Sequence, residues 1–539
     1  LLLIALPLLL AAGLLLYVQN HQAEIIKGEI AKLNLEHQGL VKIGDSELTL
    51  LGNFPDVSIK VYDVQVFESK ADNAAMILDV EDIYVGFNLW DIVNGNYDIQ
   101  SILVEDGVFN LVIHENNTTN IQLALASPEV TDSTTTNIHL KKIKFKNLDV
   151  HTLDEATNTD VEKFIYEGRG GFRRQDSIIA GNIDTELELN VIKDGDTTFI
   201  RKKHFELHTD VSYNEATGIL DIQPSGIAME NGDFELVGSI DILNDVDLDL
   251  TITGTKPNFD MLIAFAPADV IPFLERYNNA GEIYFTATIQ GASNLGNRPL
   301  INAEFGAGKA YLENKAIDKR IDQVGFKGHF TNGANRDAST MEFSITDIRA
   351  SLERGEFTGS LFVKNFNAPE VDMQIDSNFN LEFISDFFEL KQVQDASGSV
   401  SLKMNFHDII DIDHPELALQ QLNQAYFASL KVENLSLDAE QFPVPLDSLN
   451  IDLVMNGKEA KLNQFELRMG NSDLSVSGFL SDLPAIVHHT EIPVEAHLDI
   501  KSSKLDLREL TQYQIVDAVQ NGIDEQITNL SLGLSFVAA

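Results

Sequence analysis

Phe54-Pro55-Asp56-Val57-Ser58-Ile59-Lys60-Val61-Tyr62-Asp63-Val64-Gln65-Val66 leaves a proline and then alternates apolar and polar residues. With a period of two, Val57, Ile59 and Val61 share one side of an extended strand and Ser58, Lys60 and Tyr62 the other. Ile83-Tyr84-Val85-Gly86-Phe87 continues the pattern. Leu89-Trp90-Asp91-Ile92-Val93 then reads as one or two helical turns, stopped by Asn94-Gly95. Ile99-Gln100-Ser101-Ile102-Leu103-Val104-Glu105-Asp106-Gly107-Val108-Phe109-Asn110-Leu111 returns to strand, although Val112 interrupts the polar side of Phe109, Leu111 and Ile113. The stretch 54–113 is thus strand, turn, strand, short helix, strand, turn, strand. Trp90, the only tryptophan, is read as a packing residue of that helix.

Upstream, residues 1–18 (Leu-Leu-Leu-Ile-Ala-Leu-Pro-Leu-Leu-Leu-Ala-Ala-Gly-Leu-Leu-Leu-Tyr-Val) carry no charge. That length reaches the lower limit for a spanning helix. It is expected to be a retained single-pass anchor, the alternative being a cleaved leader. The row opens without Met and stops at Ala539, so both ends are expected to continue. Residues 19–53 read as a helix leaving the membrane (Glu24, Ile25, Ile26, Glu29, Ile30) and a first strand between Leu33 and Leu51. Residues 114–137 read as a polar loop, and from Ile138 nearly everything reads as strand and turn. The expected division is 1–18 anchor, 19–125 cap, 126–200 start of a β-groove, and 201–539 repeated β-groove units.

Lys plus Arg number 38 and Asp plus Glu 83 in 539 residues, a net charge of −45. Such a field repels phosphate backbones and anionic headgroup surfaces, so nucleic acid is not an expected partner. The acids are interleaved with apolar residues, as on a solvated sheet face. There is no cysteine, which excludes disulfide scaffolds, thiolate metal sites and cysteine nucleophiles.

Three segments of the later chain resemble one another. Met229-Glu-Asn-Gly-Asp-Phe-Glu-Leu-Val-Gly238, Leu352-Glu-Arg-Gly-Glu-Phe-Thr-Gly359 and Met469-Gly-Asn-Ser-Asp-Leu-Ser-Val-Ser-Gly478 bring glycines spaced 359 − 238 = 121 and 478 − 359 = 119 apart. An alternating strand follows each, then a helix-like segment at Phe259–Phe265, Leu381–Phe388 or Leu505–Leu510. The first two continue into strands opening with Gly281 or Gly398. The strands are one-sided. Val246, Leu248, Leu250 and Ile252 share a side, as do Ile283, Phe285, Ala287 and Ile289, then Val400, Leu402, Met404 and Phe406, and finally Val494, Ala496, Leu498 and Ile500. With about one helix per repeat, helices cannot cover this side. Either two sheets close on a dry core, or one sheet curls into an apolar-lined trough that holds apolar ligand. About 30 strands at ~4.8 Å would extend on the order of 140 Å if continuous.

Phe54-Pro55-x-Val57-Ser58, Val61-x-Asp63-Val64-x-Val66, Val80-Glu81-Asp82-Ile83-x-Val85-x-Phe87-x-Leu89-Trp90-Asp91-Ile92 with Gly95, and Ile102-x-Val104-Glu105-Asp106-Gly107-x-Phe109-Asn110-Leu111, set after an apolar segment, resemble the AsmA-like family of Gram-negative bacteria. The pattern covers about 60 residues, and the repeats resemble later parts of the same proteins less specifically. The resemblance implies a mainly β fold in which an N-terminal transmembrane helix leads into a long, curled, largely antiparallel β-sheet groove with few short helices. It implies a periplasmic chain anchored in the inner membrane by residues 1–18. The implied activity is phospholipid passage between inner and outer membranes, with outer-membrane or other envelope proteins as partners. Such proteins are similar to the bridge-like, chorein-type lipid transfer proteins. They carry no catalytic motif and no cofactor. The chain departs from the family in lacking charges before its apolar segment and a recognisable C-terminal end.

Enzymatic signals are weak, and no enzyme is expected. His407-Asp408-x-x-Asp411-x-Asp413-His414 beside Pro415 reads as a solvated acidic loop, and no metal site is expected. Asp245-x-Asp247-x-Asp249 fails as a calcium loop because Leu250 and Lys256 occupy the glycine and glutamate positions. Gly168-Arg169-Gly170-Gly171 lacks the lysine and spacing of a phosphate loop. Beside the lipid groove stands a periplasmic scaffold that binds partners through strand edges.

Overall fold

The computed structural model describes residues 26–28, 30–49, 57–87, 99–116, 118–127, 141–193, 196–197, 200–266, 271–293, 297–390, 393–409, 426–439, 444–481, 494–504 and 530–538. The expected anchor, the Trp90 helix, the helix-like Leu505–Leu510 and the acidic run 411–414 lie outside these residues. No described helix is long and apolar enough to cross a membrane. The chain is mainly β, with long, mostly antiparallel sheet and few short helices.

Two compact units are present, one of residues 1–256, 260–273 and 289–299 and the other of 257–259, 274–288 and 300–539. The first holds β1 (Leu40–Lys42), β2 (Ser46–Thr49), β3 (Val57–Phe67), β4 (Met76–Phe87), β5 (Ile99–Ile113), α1 (Asn120–Leu125), β6 (Lys142–Asp154), β7 (Thr159–Gln175), β8 (Ile178–Lys193), β9 (Asp196–Thr197), β10 (Lys203–Asn214), β11 (Ile219–Met229), β12 (Gly232–Asp241), β13 (Asp247–Gly254) and α2 (Asp260–Ile263). Then come α3 (Ile271–Leu274) and β14 (Asn278–Ala292). The second unit continues with β15 (Leu300–Asn314), β16 (Lys319–Thr331), β17 (Glu342–Leu352), β18 (Gly355–Lys364), β19 (Glu370–Asn380), α4 (Leu381–Phe387), β20 (Val393–Ile409), β21 (Tyr426–Ala439), β22 (Leu446–Asn456), β23 (Glu459–Met469), β24 (Ser472–Leu480), β25 (Val494–Ser502) and β26 (Leu530–Ala538).

In the first unit β3 pairs with β1, β2 and β4, and β4 with β5. β5 and β6 are parallel, Ser101 opposite Lys142 through Ile113 opposite Asp154. β6, β7, β8 and β10 to β13 then follow as antiparallel neighbours. The parallel step needs a crossover, and residues 114–141 supply it. The expected polar loop there contains α1. Thr119 caps it reciprocally: its Oγ1 accepts from Gln122 N at 3.1 Å, and its own N donates to Gln122 Oε1 at 3.0 Å. In the second unit β15 to β25 pair antiparallel in sequence order, and β26 lies parallel to β25.

The strands are longer than their alternation. In β3 the apolar set is Ile59 and Val61, then Val64 and Val66. In β5 it is Ile102 and Val104, then Phe109 and Leu111. In β6 it is Ile143 and Phe145, then Leu148 and Val150. Each phase jump falls at a residue with left-handed backbone: Asp63 (φ 51°), Asp106 (φ 54°) and Asn147 (φ 51°). Asp and Asn reach that region more readily than other side chains. A left-handed residue interrupts the two-residue period, so apolar residues on opposite parities before and after it stay on one side. Ile59, Val61 and Val64 accordingly belong to one buried cluster with Phe87. The second unit repeats the device at Asp347 in β17 (φ 54°; Phe343 and Ile345, then Ile348 and Ala350) and Asn434 in β21 (φ 51°; Leu430 and Val432, then Leu435 and Leu437). Bulges do the same in β11 after Ile222 and in β23 after Leu462. Such interruptions also bend the strands that carry them.

The repeats fold alike, with one change of register. Three hairpins turn at Met229/Gly232, Leu352/Gly355 and Met469/Ser472. Their spacing is 352 − 229 = 123 and 469 − 352 = 117 residues. Measured from the turn, Gly238 and Gly478 correspond to Leu361, and Gly359 lies two positions early. The backbone agrees: Gly238 (φ 150°) and Gly478 (φ 151°) share a conformation that favours glycine, and a Cβ there would lie 2.0 Å from Asp249 O or His497 O. At Gly359 the nearest approach is 2.7 Å, to Gln374 O. Short helices close off part of each unit. Met261 of α2 and Ala264 just after it are buried, and the carbonyl of Ala266 accepts from the buried ammonium of Lys203 at 2.6 Å. α4 buries Phe383 and Phe387, the latter stacked on Tyr277 at 5.0 Å.

Candidate functional site

The ladder registers align the apolar residues into rows that cross the strands. In the second unit one row runs Leu402, Leu430, Leu453, Leu462, Gly478, Leu498 over β20 to β25. A neighbouring row is Met404, Ala428, Met455, Ala460, Leu480, Ala496. On the other side lies Val400, Val432, Ile451, Phe465, Val476, Ile500. In the first unit a row runs Phe172, Gly181, Val211, Ile222, Gly238, Leu250 over β7 to β13, beside Ile179, Tyr213, Leu220, Ile240 and Leu248. Ile222, Gly238 and Leu250 occupy the places that Leu462, Gly478 and Leu498 hold in the second unit, so the repeat conserves the row as well as the hairpin.

Burial divides the expected groove residues. Val400, Leu402, Met404 and Phe406 are all half-buried along β20, alternating with exposed Ser399, Ser401, Lys403 and Asn405. Leu248, Leu250, Ile252, Ile289, Leu498 and Ile500 are half-buried too. Ile283, Phe285 and Ala287 are 7% exposed, and Val494 and Ala496 are sealed at 0%. These five are closed core. Near the β15–β17 ladder, Phe305 stacks on Phe343 and meets Phe326 edge-on. Val246 departs from its expected place. It lies in the turn before β13 with φ 50°, and its carbonyl accepts from Ser293 Oγ at 3.0 Å. Strict alternation extended backwards from Leu248 includes it falsely, because the left-handed pair Asp245–Val246 breaks the period.

The opposite side is charged. Asp184 Oδ2 accepts from Arg169 Nε at 3.0 Å, and its Oδ1 lies 2.8 Å from His208 Nδ1. The His208 bond, and next the Arg169 guanidinium, hold the Asp184 carboxyl below the usual carboxylate range. Lys403 pairs with Asp376 at 3.0 Å and Lys146 with Glu105 at 2.7 Å. Pairs this exposed contribute little stability, and they mark the side of the sheet that faces water. At the edge of the first unit's rows, a hollow of about 1130 Å³ joins Phe172, Ile179 and Val211 to Lys141, Lys142, Arg173 and Arg174.

His407 of the expected acidic loop lies within β20, opposite Asp372 of β19. Its Nδ1 is hydrogen-bonded to Asp372, and its Nε2 lies 3.5 Å from Glu370. The chemistry of the apolar side is non-covalent. It offers apolar area in ordered rows, which suits a chain-like apolar ligand better than a compact polar one. No family model, curated protein or solved structure matches the chain.

Proposed function

We propose that the chain is a lipid-transfer protein of the AsmA-like kind, anchored in the inner membrane by residues 1–18 with its bulk in the periplasm. In this reading the apolar rows line a curled β-groove that carries phospholipid acyl chains between inner and outer membranes. The observation that carries the reading is the half-burial of the rows from Leu402 to Leu498 and from Phe172 to Leu250. Two sheets packed face to face, about 10 Å apart, would drive such residues to full burial. Here ordered apolar side chains keep access to solvent along five inter-strand gaps, about 24 Å at ~4.8 Å each. Phase jumps that hold the apolar residues on one side of bent strands fit a lining.

Photocrosslinking tests this. Purified full-length chain, equilibrated with vesicles containing a phospholipid photoactivatable in its acyl chain, should be labelled on peptides bearing Leu402, Met404, Leu430 and Leu453. The peptide of Lys431 and Glu433 alternates between both sides, so residue-level assignment should find Leu430 labelled and Lys431 not. Labelling spread evenly over both sides, or absent from the rows, refutes the reading and favours a scaffold that binds proteins through strand edges.

A further inference from the structure

His151 of β6, Glu162 of β7 and Asn190 of β8 stand opposite one another in a single cross-strand row. Asp160 lies two residues from Glu162 on β7, hence on the same side of the sheet. The ligating atoms of His151, Asp160 and Glu162 all fall within 4.8 Å of one another. Two donors bound to one cation at ~2.0–2.2 Å are separated by at most about 4.4 Å, so atoms already within 4.8 Å of one another need only a small side-chain adjustment to share an ion. Sequence spacing concealed the group, because its members come from separate strands.

A second observation points to a ligand. Asp160 Oδ1 and Asn190 Oδ1 are buried oxygens without a hydrogen-bond partner. Reversing the Asn190 amide does not relieve this, since its Nδ2 already donates to Glu162 Oε2 at 2.8 Å. Reversal would turn an oxygen toward that carboxylate. Among the described residues no lysine or arginine pairs with Asp160 or Glu162. Lys163 is on the other parity of β7 and donates to Thr152 Oγ1 at 3.0 Å. Two carboxylates and an imidazole, with buried lone pairs lacking a donor, form an uncompensated negative site. The trio Glu370, Asp372 and His407 differs. There the imidazole bonds to Asp372, and Lys364 Nζ lies 3.0 Å from Glu370 Oε1, so its charges already have partners.

We infer that His151, Asp160 and Glu162 bind a divalent transition-metal cation, with zinc the best-suited ion. One nitrogen and two carboxylate ligands favour such an ion over magnesium or calcium, which take oxygen shells. The ion would join β6 to β7, with water completing its shell. This revises the expectation that the chain holds no metal.

The test is zinc titration of chelator-stripped full-length chain, followed by calorimetry and by elemental analysis after dialysis. One zinc per chain is expected, with a rise in unfolding temperature and weaker binding of calcium. His151→Ala and the near-isosteric Asp160→Asn should each weaken binding by about tenfold or more, while His407→Ala leaves it unchanged. Circular dichroism melts without metal establish that the variants fold. No stoichiometric zinc, zinc retained by both folded variants, or zinc lost on His407→Ala would each overturn the assignment. None of these outcomes depends on lipid binding.

Discussion

Placing aspartate at Leu402 tests whether the apolar rows carry acyl chains. Leu402 stands between Ser377 of β19 and Leu430 of β21 and is half-buried. In an empty trough water still reaches the site, so the new carboxylate stays solvated and the fold survives. With an acyl chain laid along Leu402, Leu430 and Leu453, that carboxylate is stripped of water at an effective cost of several kcal/mol. Taking ~3 kcal/mol, occupancy of that stretch falls about a hundredfold. A chain of about 15 methylenes gains ~12 kcal/mol gross from burial at ~0.8 each. One charge therefore weakens passage, whereas Leu402→Asp, Leu430→Asp and Leu453→Asp together, at about 9 kcal/mol, cancel most of the gain. The assay is phospholipid bound per purified chain by mass spectrometry, alongside delivery of pulse-labelled phospholipid to the outer membrane in cells relying on the variant. Lys403→Glu is the control. It alters charge on the solvated side, losing an exposed pair with Asp376, and should leave both readouts intact. A triple variant that melts like wild type yet carries and delivers the same lipid refutes the reasoning.

Gly238→Ala and Gly478→Ala should each cost about 2–4 kcal/mol in denaturant unfolding, since both combine a strained φ with a Cβ 2.0 Å from a carbonyl oxygen. Gly359→Ala should cost about half as much or less, and equal losses at all three would refute the two-residue offset between repeats. Thr119→Ala removes the N-terminal cap of α1 and should cost about 1 kcal/mol, read as faster amide exchange at Gln122 and Leu123. Asp184 has its carboxyl depressed by His208 and Arg169, so its contribution is present above the ordinary aspartate range and fades as pH falls through the depressed value. Asp184→Asn should lower stability slightly near neutrality and leave it unchanged once the pH is below the depressed value, flattening the acid limb of the curve; an unaltered acid limb would show that the pair is not held in solution.

Much of the fold was legible because a strand's period is short. Ile59 and Val61 against Ser58 and Lys60, or Leu402 and Met404 against Lys403 and Asn405, need only a few residues to declare two sides. The repeat was legible for a different reason: a hairpin turn and a glycine recur together. Long-range register was not legible. That Leu402 meets Leu430 and Leu453, or that His151 meets Glu162, depends on pairing between strands, which no local pattern encodes. α1 was missed because Thr119 and Gln122 sit in a polar run that looks like loop until read as a capping box. Ile283, Phe285 and Val494 have the same alternation as Leu402 yet are sealed; what packs over a strand is a tertiary fact.

The phase jumps decide how any such strand should be read. Counting by twos through Asp63, Asp347 or Asn434 assigns half of each strand to the wrong side, and the same error admitted Val246. Counted from the jump outward, Leu430, Val432, Leu435 and Leu437 fall on one side of β21, and Phe343, Ile345, Ile348 and Ala350 on one side of β17. A strand that only had to present an apolar side to a flat partner sheet would not need to change phase at its middle. A change of phase that keeps the apolar side while bending the strand fits a sheet curving around its contents. On the proposed reading half-buried rows follow: side chains lining a groove would approach one another without closing and leave area for a ligand whose own apolar surface completes the burial.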